Sequence, residues 1–405
     1  MKRALLLLLI APFSGYSQAL QSGPWERNPD AQRFVDLSYV YALGSASIPF
    51  AAQQSILYDD FLDESDKELF LSSVKDNNQS ALNDLFEFNY GYRLDDAKAQ
   101  RRTFGIHYNS IRAVNYSENL LKLALYGNAP YAGETLDLTP TAWWRVRYFE
   151  GFYSWGFDKD KWSYDISASI LVGLEEQRFG ADRLDWFTPE SGEYIDLSAK
   201  AVGSLTDTSS GRSAINGLGL GVGLSGTYYE GDWTFHGALE DFGFIRWNDQ
   251  SYSIDVDTNY RYEGLYIDNL FDIQDNFFEE SIDSLGRAYF DGEQGSRIGV
   301  TPFLVRFEAH RKISETQALR AGLQYRYRVF NLPLLYAAYD MKLGENHELS
   351  PTVHYGGYNR FGLSVDYRWN ISGTDLLLQL GNLNSWVAPK QSYGIHLGIG
   401  LRKTW

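Results

Sequence analysis

The sequence predicts an all-β protein, a transmembrane antiparallel β-barrel of roughly 14 strands, with 12 to 16 possible, and with short helical insertions. Three observations lead to this class. Apolar side chains recur at every second position over most of the chain. Aromatic residues reach 16%, with 29 Tyr and 11 Trp, while all hydrophobic residues together amount to only 44%. After residue 20, no apolar stretch approaches the roughly 20 residues that a membrane-spanning helix needs.

The alternation is clearest in four segments: Trp162–Leu174, Leu218–Tyr228, Leu319–Val329 and Phe361–Trp369. In Leu319–Val329, the odd-numbered positions are Leu, Ala, Leu, Tyr, Tyr and Val, whereas the even-numbered ones are Arg, Gly, Gln, Arg and Arg. Successive side chains of a strand point to opposite faces, so each segment has an apolar face and a largely polar face. An apolar face towards lipid and a polar face towards a lumen are typical of outer-membrane barrels.

Further strand candidates follow along the chain without a break in composition. They lie near residues 33–43, 85–94, 102–112, 142–157, 193–203, 232–241, 250–258, 302–311, 334–343, 348–356, 374–381 and 392–405. These are more strands than one open sheet carries comfortably, which favours a closed barrel. A soluble β-sandwich or propeller is the alternative, but its solvent-facing polar positions need not be so rich in glycine, of which the chain has 37.

Two short helices and one long connection interrupt the strands. Ser65 to Glu68 form a capping-box pattern, which predicts a helical insertion near 64–76. Ser117 precedes a leucine-rich stretch that ends at Gly127, which predicts a second helical insertion near 117–126. The segment near 262–300 is predicted to be a long acidic loop, either extracellular or folded into the lumen as a plug.

The N-terminus has the layout of a secretory signal peptide, predicted here over residues 1–17. Lys2 and Arg3 precede a short apolar run, and small residues follow up to Ser17. Export would place residues 18–405, predicted as a single barrel domain, among the lipids of a Gram-negative cell outer membrane. The chain has no cysteine, which excludes a lipid-anchored lipoprotein and any disulfide.

The C-terminal strand resembles the assembly signal of outer-membrane barrels, an alternating strand that ends in an aromatic residue. Its apolar face consists of Tyr393, Ile395, Leu397, Ile399, Leu401 and Trp405. Lys403 interrupts this face, but near the membrane interface a lysine can extend its amine into water at little cost. Because a free strand edge can be taken up by β-pairing, the barrel-assembly machinery is a predicted partner.

Charged side chains on the polar faces are predicted to line the lumen, because an Arg or Lys facing lipid at the bilayer midplane costs roughly 2–4 kcal/mol. The predicted lumen charge cluster consists of Arg306, Glu308, His310, Arg320, Arg326, Arg328, Asp366, Arg368 and His396. Such a basic cluster could bind or conduct an anionic solute. The alternative, which the available carboxylates favour, is a structural network of arginine–carboxylate pairs with Glu308 and Asp366 as the first partners.

No catalytic, cofactor or metal motif stands out in the sequence. The chain has 6 histidines, and none has the His-Glu-x-x-His spacing of a zinc site. His107 lies three residues before Ser110, but strand positions three apart point to opposite faces, so a Ser–His hydrolase fails this test. We therefore predict neither an enzyme nor a bound cofactor. The formal net charge of −16 argues against nucleic acid as a partner.

Two internal segments resemble a known family. Gly127–Leu138 and Leu239–Trp247 are similar to segments of an uncharacterised Gram-negative outer-membrane barrel family, known only as a domain of unknown function. The order of signal peptide, early helical insertion and terminal strand is also similar over most of the chain. The family's early Asn-Pro-Ala is only partly present, at Asn28–Asp30. The resemblance implies a barrel broadly similar to the fatty-acid transporters, and it supplies no functional residues.

Three functional classes remain open, and a barrel enzyme is the least favoured of them. The first is a passive channel or transporter for small solutes, apolar ones included. The second is a structural or docking barrel for a surface or secretion complex, without transport activity. A through-going lumen or an opening in the wall would favour transport, whereas a lumen filled by salt bridges and helices would favour docking.

Overall fold

The computed structural model describes residues 31–58, 62–94, 100–206, 214–263, 292–330, 332–357 and 360–405. Within these ranges, an antiparallel sheet of 19 strands closes on itself. The last strand, β19 (Gly394–Thr404), pairs over its full length with the first, β1 (Arg33–Ser45). The predicted class, an antiparallel β-barrel, is confirmed.

Fourteen strands form the closed ring, the number that the sequence predicts. In ring order after β1 they are β2 (Asn78–Arg93), β3 (Gln100–Tyr116), β5 (Thr141–Lys159), β6 (Trp162–Phe187), β8 (Gly217–Glu230), β9 (Trp233–Trp247), β13 (Leu304–Lys312), β14 (Gln317–Arg326), β15 (Leu332–Lys342), β16 (His347–Gly357), β17 (Phe361–Ile371), β18 (Thr374–Gly381) and β19. At one end of the barrel, which we call the turn end, short turns such as Asp160–Lys161 and Ser372–Gly373 join the strands. At the opposite end, the loop end, longer connections carry helices.

Five further strands of the described residues lie outside the ring. They are β4 (Thr135–Asp137), β7 (Ile195–Leu205), β10 (Tyr252–Tyr262), β11 (Glu293–Gln294) and β12 (Arg297–Val300). β6 continues past the ring, where its far half pairs with β4 and β7, and β10 pairs with β7 and β11. The strands predicted near 193–203 and 250–258 are therefore β7 and β10. They belong to an extension of the sheet at the loop end, which we call the β7–β10 extension, and not to the barrel wall.

Helices cover part of the outer wall at the loop end. They are α1 (Phe50–Tyr58), α2 (Glu64–Leu71) and α3 (Glu118–Tyr126), and a fourth helix, α4 (Asn384–Val387), connects β18 to β19. Leu121 of α3 packs in one cluster with Leu82 and Val114, which lie on the outer face of β2 and β3. α2 and α3 lie in the segments predicted to be helical. Asp63, and not Ser65, caps α2, because the Asp63 carboxylate accepts the amide of the third helical residue. None of the helices in the described part of the chain is long and apolar enough to cross a membrane.

The outer surface of the ring carries a band of exposed apolar side chains. The band includes Leu37, Ile106, Ile170, Leu220, Phe307, Leu319 and Ile399, from strands all round the ring. Leu220, for example, is 72% exposed. A continuous exposed apolar surface of this kind is unfavourable in water and is the surface that a barrel presents to lipid.

The tryptophans divide between the two faces of the wall. Trp143, Trp155, Trp233 and Trp369 are exposed on the outer face, where the aromatic girdle residues of a barrel lie. Trp144 and Trp247 are buried inside the barrel instead and do not belong to a girdle. Trp144 directly follows Trp143, and only one of two consecutive strand residues can face outward. Trp247 lies beyond a bulge in β9 that exchanges the two faces.

Two predicted segments fall wholly or partly outside the described residues. The predicted signal peptide, 1–17, lies outside them completely. Of the predicted acidic loop near 262–300, residues 264–291 lie outside them, whereas residues 292–300 contain β11 and β12, which pair with β10 and β9. The predicted loop boundary was wrong on this side, because strands of two and four residues are too short for their alternation to be recognised.

Candidate functional site

A polar cavity of about 690 Å³, which we call the lumen pocket, occupies the turn-end half of the lumen. Its lining comes from eleven of the fourteen ring strands, among them β1 with Asp36 and β19 with Arg402, whereas none of the described residues of β15, β16 and β17 line it. It begins near the turn end, where Asp160 of the β5–β6 turn lies in its wall, and it reaches Glu150 in the middle of β5. Cavities of this size are typical of small-molecule sites.

Beyond Glu150, buried apolar side chains fill the lumen, and we call them the apolar layer. Its members are Ile111, Trp144, Val146, Tyr148, Leu171, Ile245, Trp247, Val329, Phe330 and Leu334. On β5, the next lumen-facing residues after Glu150 are Tyr148, Val146 and Trp144, and all three are buried. Within the described residues, the lumen pocket is therefore blind: it faces the turn end, and the apolar layer closes its floor.

Arginine–carboxylate pairs line the lumen pocket near the turn end. Arg93 Nη1 lies 3.1 Å from Asp158 Oδ2, and Arg101 Nη2 lies 2.8 Å from Asp165 Oδ2. Arg402 Nη2 on the last strand lies 3.1 Å from an oxygen of Asp36 on the first. The arginine and the carboxylate of each pair neutralise each other's charge. Because the two residues lie on different strands, their charge-assisted hydrogen bonds also link the strands of the wall.

A β-bulge in β9 brings two consecutive acidic residues into the lumen pocket. Glu240 and Asp241 together stand opposite one residue of β8, Gly223. Asp241 has a φ of 60°, a left-handed conformation that aspartate tolerates better than most residues. Thr301 holds the bulge, because its hydroxyl donates to the Asp241 carbonyl at 2.5 Å and accepts from the Gly243 amide at 2.8 Å. The lumen-facing positions of β9 are even-numbered before the bulge and odd-numbered after it.

The two bulge residues pair with arginines of the predicted lumen charge cluster. Arg306 Nη2 lies 3.1 Å from Glu240 Oε2. Arg326 Nη1 lies 3.3 Å from Asp241 Oδ2 and donates to the Pro302 carbonyl at 2.9 Å. Both arginines line the lumen pocket. Alternation turns Glu240 inward together with His236, but it places Asp241 on the opposite face, so only the bulge reveals the partner of Arg326.

Three more members of the predicted cluster lie side by side in the wall next to the lumen pocket. Arg320 donates two hydrogen bonds of 2.9 Å to Asp340, and its Nη1 lies 3.8 Å from Glu308. Glu308 also accepts a hydrogen bond of 2.9 Å from the Tyr336 hydroxyl. His310, on the lumen face of β13, is the cross-strand neighbour of Arg320. Glu308 thus lies close to Arg320, as expected, but the partner that binds Arg320 through two hydrogen bonds is Asp340.

Asp366, Arg368 and His396 lie further round the ring. Arg368 forms an ion pair with Glu348, and its Nη1 lies 3.9 Å from Asp375. Asp366 occupies the same lumen face of β17, two residues before Arg368. His396 is completely buried on β19. The predicted cluster is therefore spread along the wall from β13 to β19 and does not form a single site.

Arg328 departs from its predicted position. β14 ends at Arg326, and Arg328 lies in the turn that follows, with a φ of 60°. Its guanidinium lies over the rings of Trp144 and Tyr327, at 5.4 and 5.1 Å from their centroids. The prediction extended the alternation past the end of the strand, and alternation does not reveal where a strand gives way to a turn.

His107, Glu150 and Asp241 meet at the floor of the lumen pocket. One imidazole nitrogen and one carboxylate oxygen from each acid lie within 4.8 Å of one another. His107 and Ser110, which were weighed as a Ser–His pair, lie on opposite faces of β3. Glu150 and Asp241 were not among the predicted site residues. Alternation could have placed Glu150 on an inward face, but only the strand register shows that Glu150 stands directly opposite His107.

The C-terminal strand turns part of its predicted apolar face outward. Leu397, Ile399, Leu401 and Trp405 are exposed on the outer surface. Ile395 instead packs against the helix cluster, and Tyr393 precedes the strand and donates a hydrogen bond of 3.1 Å to Ser73. The first two residues of the predicted assembly signal therefore contact the loop-end connections and not lipid, because the helices cover the wall at that level.

The closed ring, its outward apolar band and its lumen pocket define a transmembrane β-barrel of the outer-membrane type. The chain belongs to a protein family of unknown function, DUF5723, whose sequence profile matches residues 41–375. This match confirms the resemblance that was inferred from Gly127–Leu138 and Leu239–Trp247. No curated protein matches the chain.

Several solved transporter structures are similar over most of the chain. A mutant of the monoaromatic hydrocarbon channel TodX, a protein of P. putida, has a TM-score of 0.49 at 10% identity, covering 97% of this chain and 96% of that chain. The toluene transporter TbuX of Ralstonia pickettii has a TM-score of 0.47 at 10% identity, covering 98% and 97%. A FadL homologue of Pseudomonas aeruginosa has a TM-score of 0.41 at 11% identity, covering 92% and 89%.

Proposed function

We propose that this chain is an outer-membrane barrel that passively admits small solutes, as a channel or transporter. The observation that carries the proposal is the lumen pocket, a solute-sized polar cavity inside a closed ring with an apolar outer surface. The proposal includes export by a cleavable signal peptide over residues 1–17 and insertion by the barrel-assembly machinery.

The lining of the lumen pocket favours small polar solutes. It carries serine hydroxyls, such as those of Ser154 and Ser167, between arginine–carboxylate pairs. Donors and acceptors fixed in the wall can replace part of the hydration shell of a polar solute. Toluene and monoaromatic hydrocarbons are the solutes named for TbuX and TodX, so an apolar solute is the alternative to be tested.

Passage across the membrane requires the apolar layer to move. A dry hydrophobic constriction blocks ions and polar solutes until it opens and admits water. The apolar layer holds Tyr148 and Trp247 among the completely buried large side chains of the described chain. We therefore expect the resting barrel to be closed and its permeability to be low.

The test is the permeability of the purified protein in liposomes, measured with glucose, with potassium chloride and with toluene. Tyr148→Ala combined with Trp247→Ala removes two rings from the apolar layer and should raise glucose permeability severalfold. The matched control is Leu220→Ala, which removes an exposed side chain from the outer surface. A folded double variant that stays as impermeable as wild type to all three solutes would contradict the proposal. If the double variant becomes more permeable to toluene alone, the transported solutes are apolar and not polar.

One observation favours a docking barrel as the second candidate. The β7–β10 extension lies outside the ring and carries exposed charged pairs, Arg261–Asp196 at 2.7 Å and Arg183–Asp257 at 2.6 Å. The hydrogen bonds from Arg261 hold the pKa of Asp196 below its usual value. For a docking barrel, wild type and the apolar-layer variant would be equally impermeable, while Arg261→Glu would weaken the association with the partner complex in cells.

A further inference from the structure

The floor of the lumen pocket gathers three potential metal ligands from three strands. His107 comes from β3, Glu150 from β5 and Asp241 from the bulge in β9. Their ligand atoms lie within 4.8 Å of one another, so small changes of side-chain rotamer would bring all three onto one ion. His107 and Glu150 are direct cross-strand neighbours, which holds these two ligands in register.

The burial of the Glu150 carboxylate is the second observation that points to a bound cation. Glu150 is only 6% exposed, and its buried Oε2 has no hydrogen-bond partner within the described structure. The nearby Asp241 adds a second negative charge, and Arg326 approaches Asp241, at 3.3 Å. When ionised, a carboxylate buried without a partner is strongly destabilising, and a cation bound at this point would offset that cost and favour the ionised form.

The surroundings of His107 favour metal binding. His107 Nε2 lies 3.0 Å from Asn89 Oδ1. With the amide oxygen as acceptor, Nε2 carries the proton and Nδ1 keeps its lone pair free for an ion. The Phe152 ring packs against the imidazole at 4.9 Å between centroids. Gly105 makes room for Asn89, because a Cβ at Gly105 would lie 2.2 Å from the Asn89 amide oxygen. Hydrogen bonds of this kind fix the tautomer and orientation of metal-binding histidines.

We propose that His107, Glu150 and Asp241 bind a divalent transition-metal ion, with Zn²⁺ as the best fit, at the floor of the lumen pocket. One imidazole nitrogen and two carboxylate oxygens are a donor set that suits Zn²⁺, whereas Mg²⁺ and Ca²⁺ prefer oxygen ligands alone. Three protein ligands leave a coordination position open towards the pocket for water or a solute group. This site is independent of the proposed transport function, since an impermeable barrel could hold the same ion.

The test is calorimetric titration of the full-length, chelator-treated protein in detergent with Zn²⁺. We expect one ion per chain. Glu150→Gln, Asp241→Asn and His107→Gln each should weaken binding by at least about tenfold, a loss that is common even for groups behind the ligands. Matched controls are His347→Gln and Glu315→Gln, which change a histidine and an acid outside the lumen pocket and should bind as wild type does. Mg²⁺ should not compete.

Two results would overturn the site: no saturable Zn²⁺ binding by wild type, or binding that is unchanged in all three ligand variants. Unchanged binding in all three variants would mean that surface carboxylates hold the ion. Heat-dependent gel migration shows whether each variant folds. If a variant fails to fold, the visible spectrum of the wild-type protein with Co²⁺ shows whether the site exists. Intense bands of a four- or five-coordinate ion support the site, and the weak spectrum of six-coordinate, hydrated Co²⁺ contradicts it.

Discussion

At the scale of single residues, Arg320 is the clearest case of a charge held inside the wall. It is only 6% exposed, and it is bound by Asp340 and approached by Glu308. The neutralising partners come from the neighbouring strands on either side, β15 and β13. Removing one member of a buried pair leaves the other charge without its counter-ion, and this is far more costly than losing an exposed pair.

We predict that Arg320→Ala lowers the free energy of unfolding by about 3–5 kcal/mol, the usual cost of breaking a buried ion pair. Urea titration of the lipid-reconstituted barrel measures it. Arg261→Ala, which breaks an exposed pair in the β7–β10 extension, is the control and should have a much smaller effect. If Arg320→Ala is as stable as wild type and instead changes anion selectivity, the cluster serves conduction and not structure.

The residues at the pocket floor also show where sequence reasoning stops. Alternation correctly turns Arg320 and Arg326 inward, since both lie on a regular strand. It could not find Asp241, because the bulge inserts one extra residue and exchanges the faces of β9. It could not join His107 to Glu150 either, because register between strands distant in sequence is set by the closed ring and not by either strand alone.

At the scale of elements, the strands were predictable because each has a long alternating pattern, and the short strands β11 and β12 were not. The outward face of β19 keeps Leu397, Ile399 and Leu401 exposed, as the alternation predicts. A helix such as α1 gives a weaker signal, because its sequence shows no amphipathic stripe.

We predict that Leu401→Asp combined with Trp405→Asp blocks insertion into the outer membrane while export continues. Both side chains are exposed on the outer surface, where a charge would face lipid or its interface. Fractionation of cells expressing the variant should find the protein in the periplasm. Gln391→Asp, an exposed change just before the strand, is the control. Full insertion of the double variant would contradict the role of this strand in assembly.

At the scale of the whole molecule, the number of long alternating segments predicts the approximate number of strands in the ring. It does not predict which of these segments belong to the ring. β7 and β10 alternate like wall strands, yet β6 is long enough to pair with β8 in the ring and with β7 beyond it. Only the length of β6, 26 residues, distinguishes the two arrangements. The apolar layer was equally hidden, because residues such as Trp144 and Tyr148 look like lipid-facing residues in the sequence.

We predict that the protein in dodecyl sulfate migrates differently on a gel before and after boiling. Because β19 pairs with β1, each strand of the ring has a hydrogen-bonded neighbour on both sides, and no edge is left from which unfolding can start. Unfolding must then break many backbone hydrogen bonds together, so the folded ring persists in detergent on the time scale of electrophoresis. The uninserted Leu401→Asp, Trp405→Asp variant supplies the control and should migrate identically with and without heat. Equal migration of heated and unheated wild type, together with its release from membranes by carbonate, would show that the ring does not close in the cell.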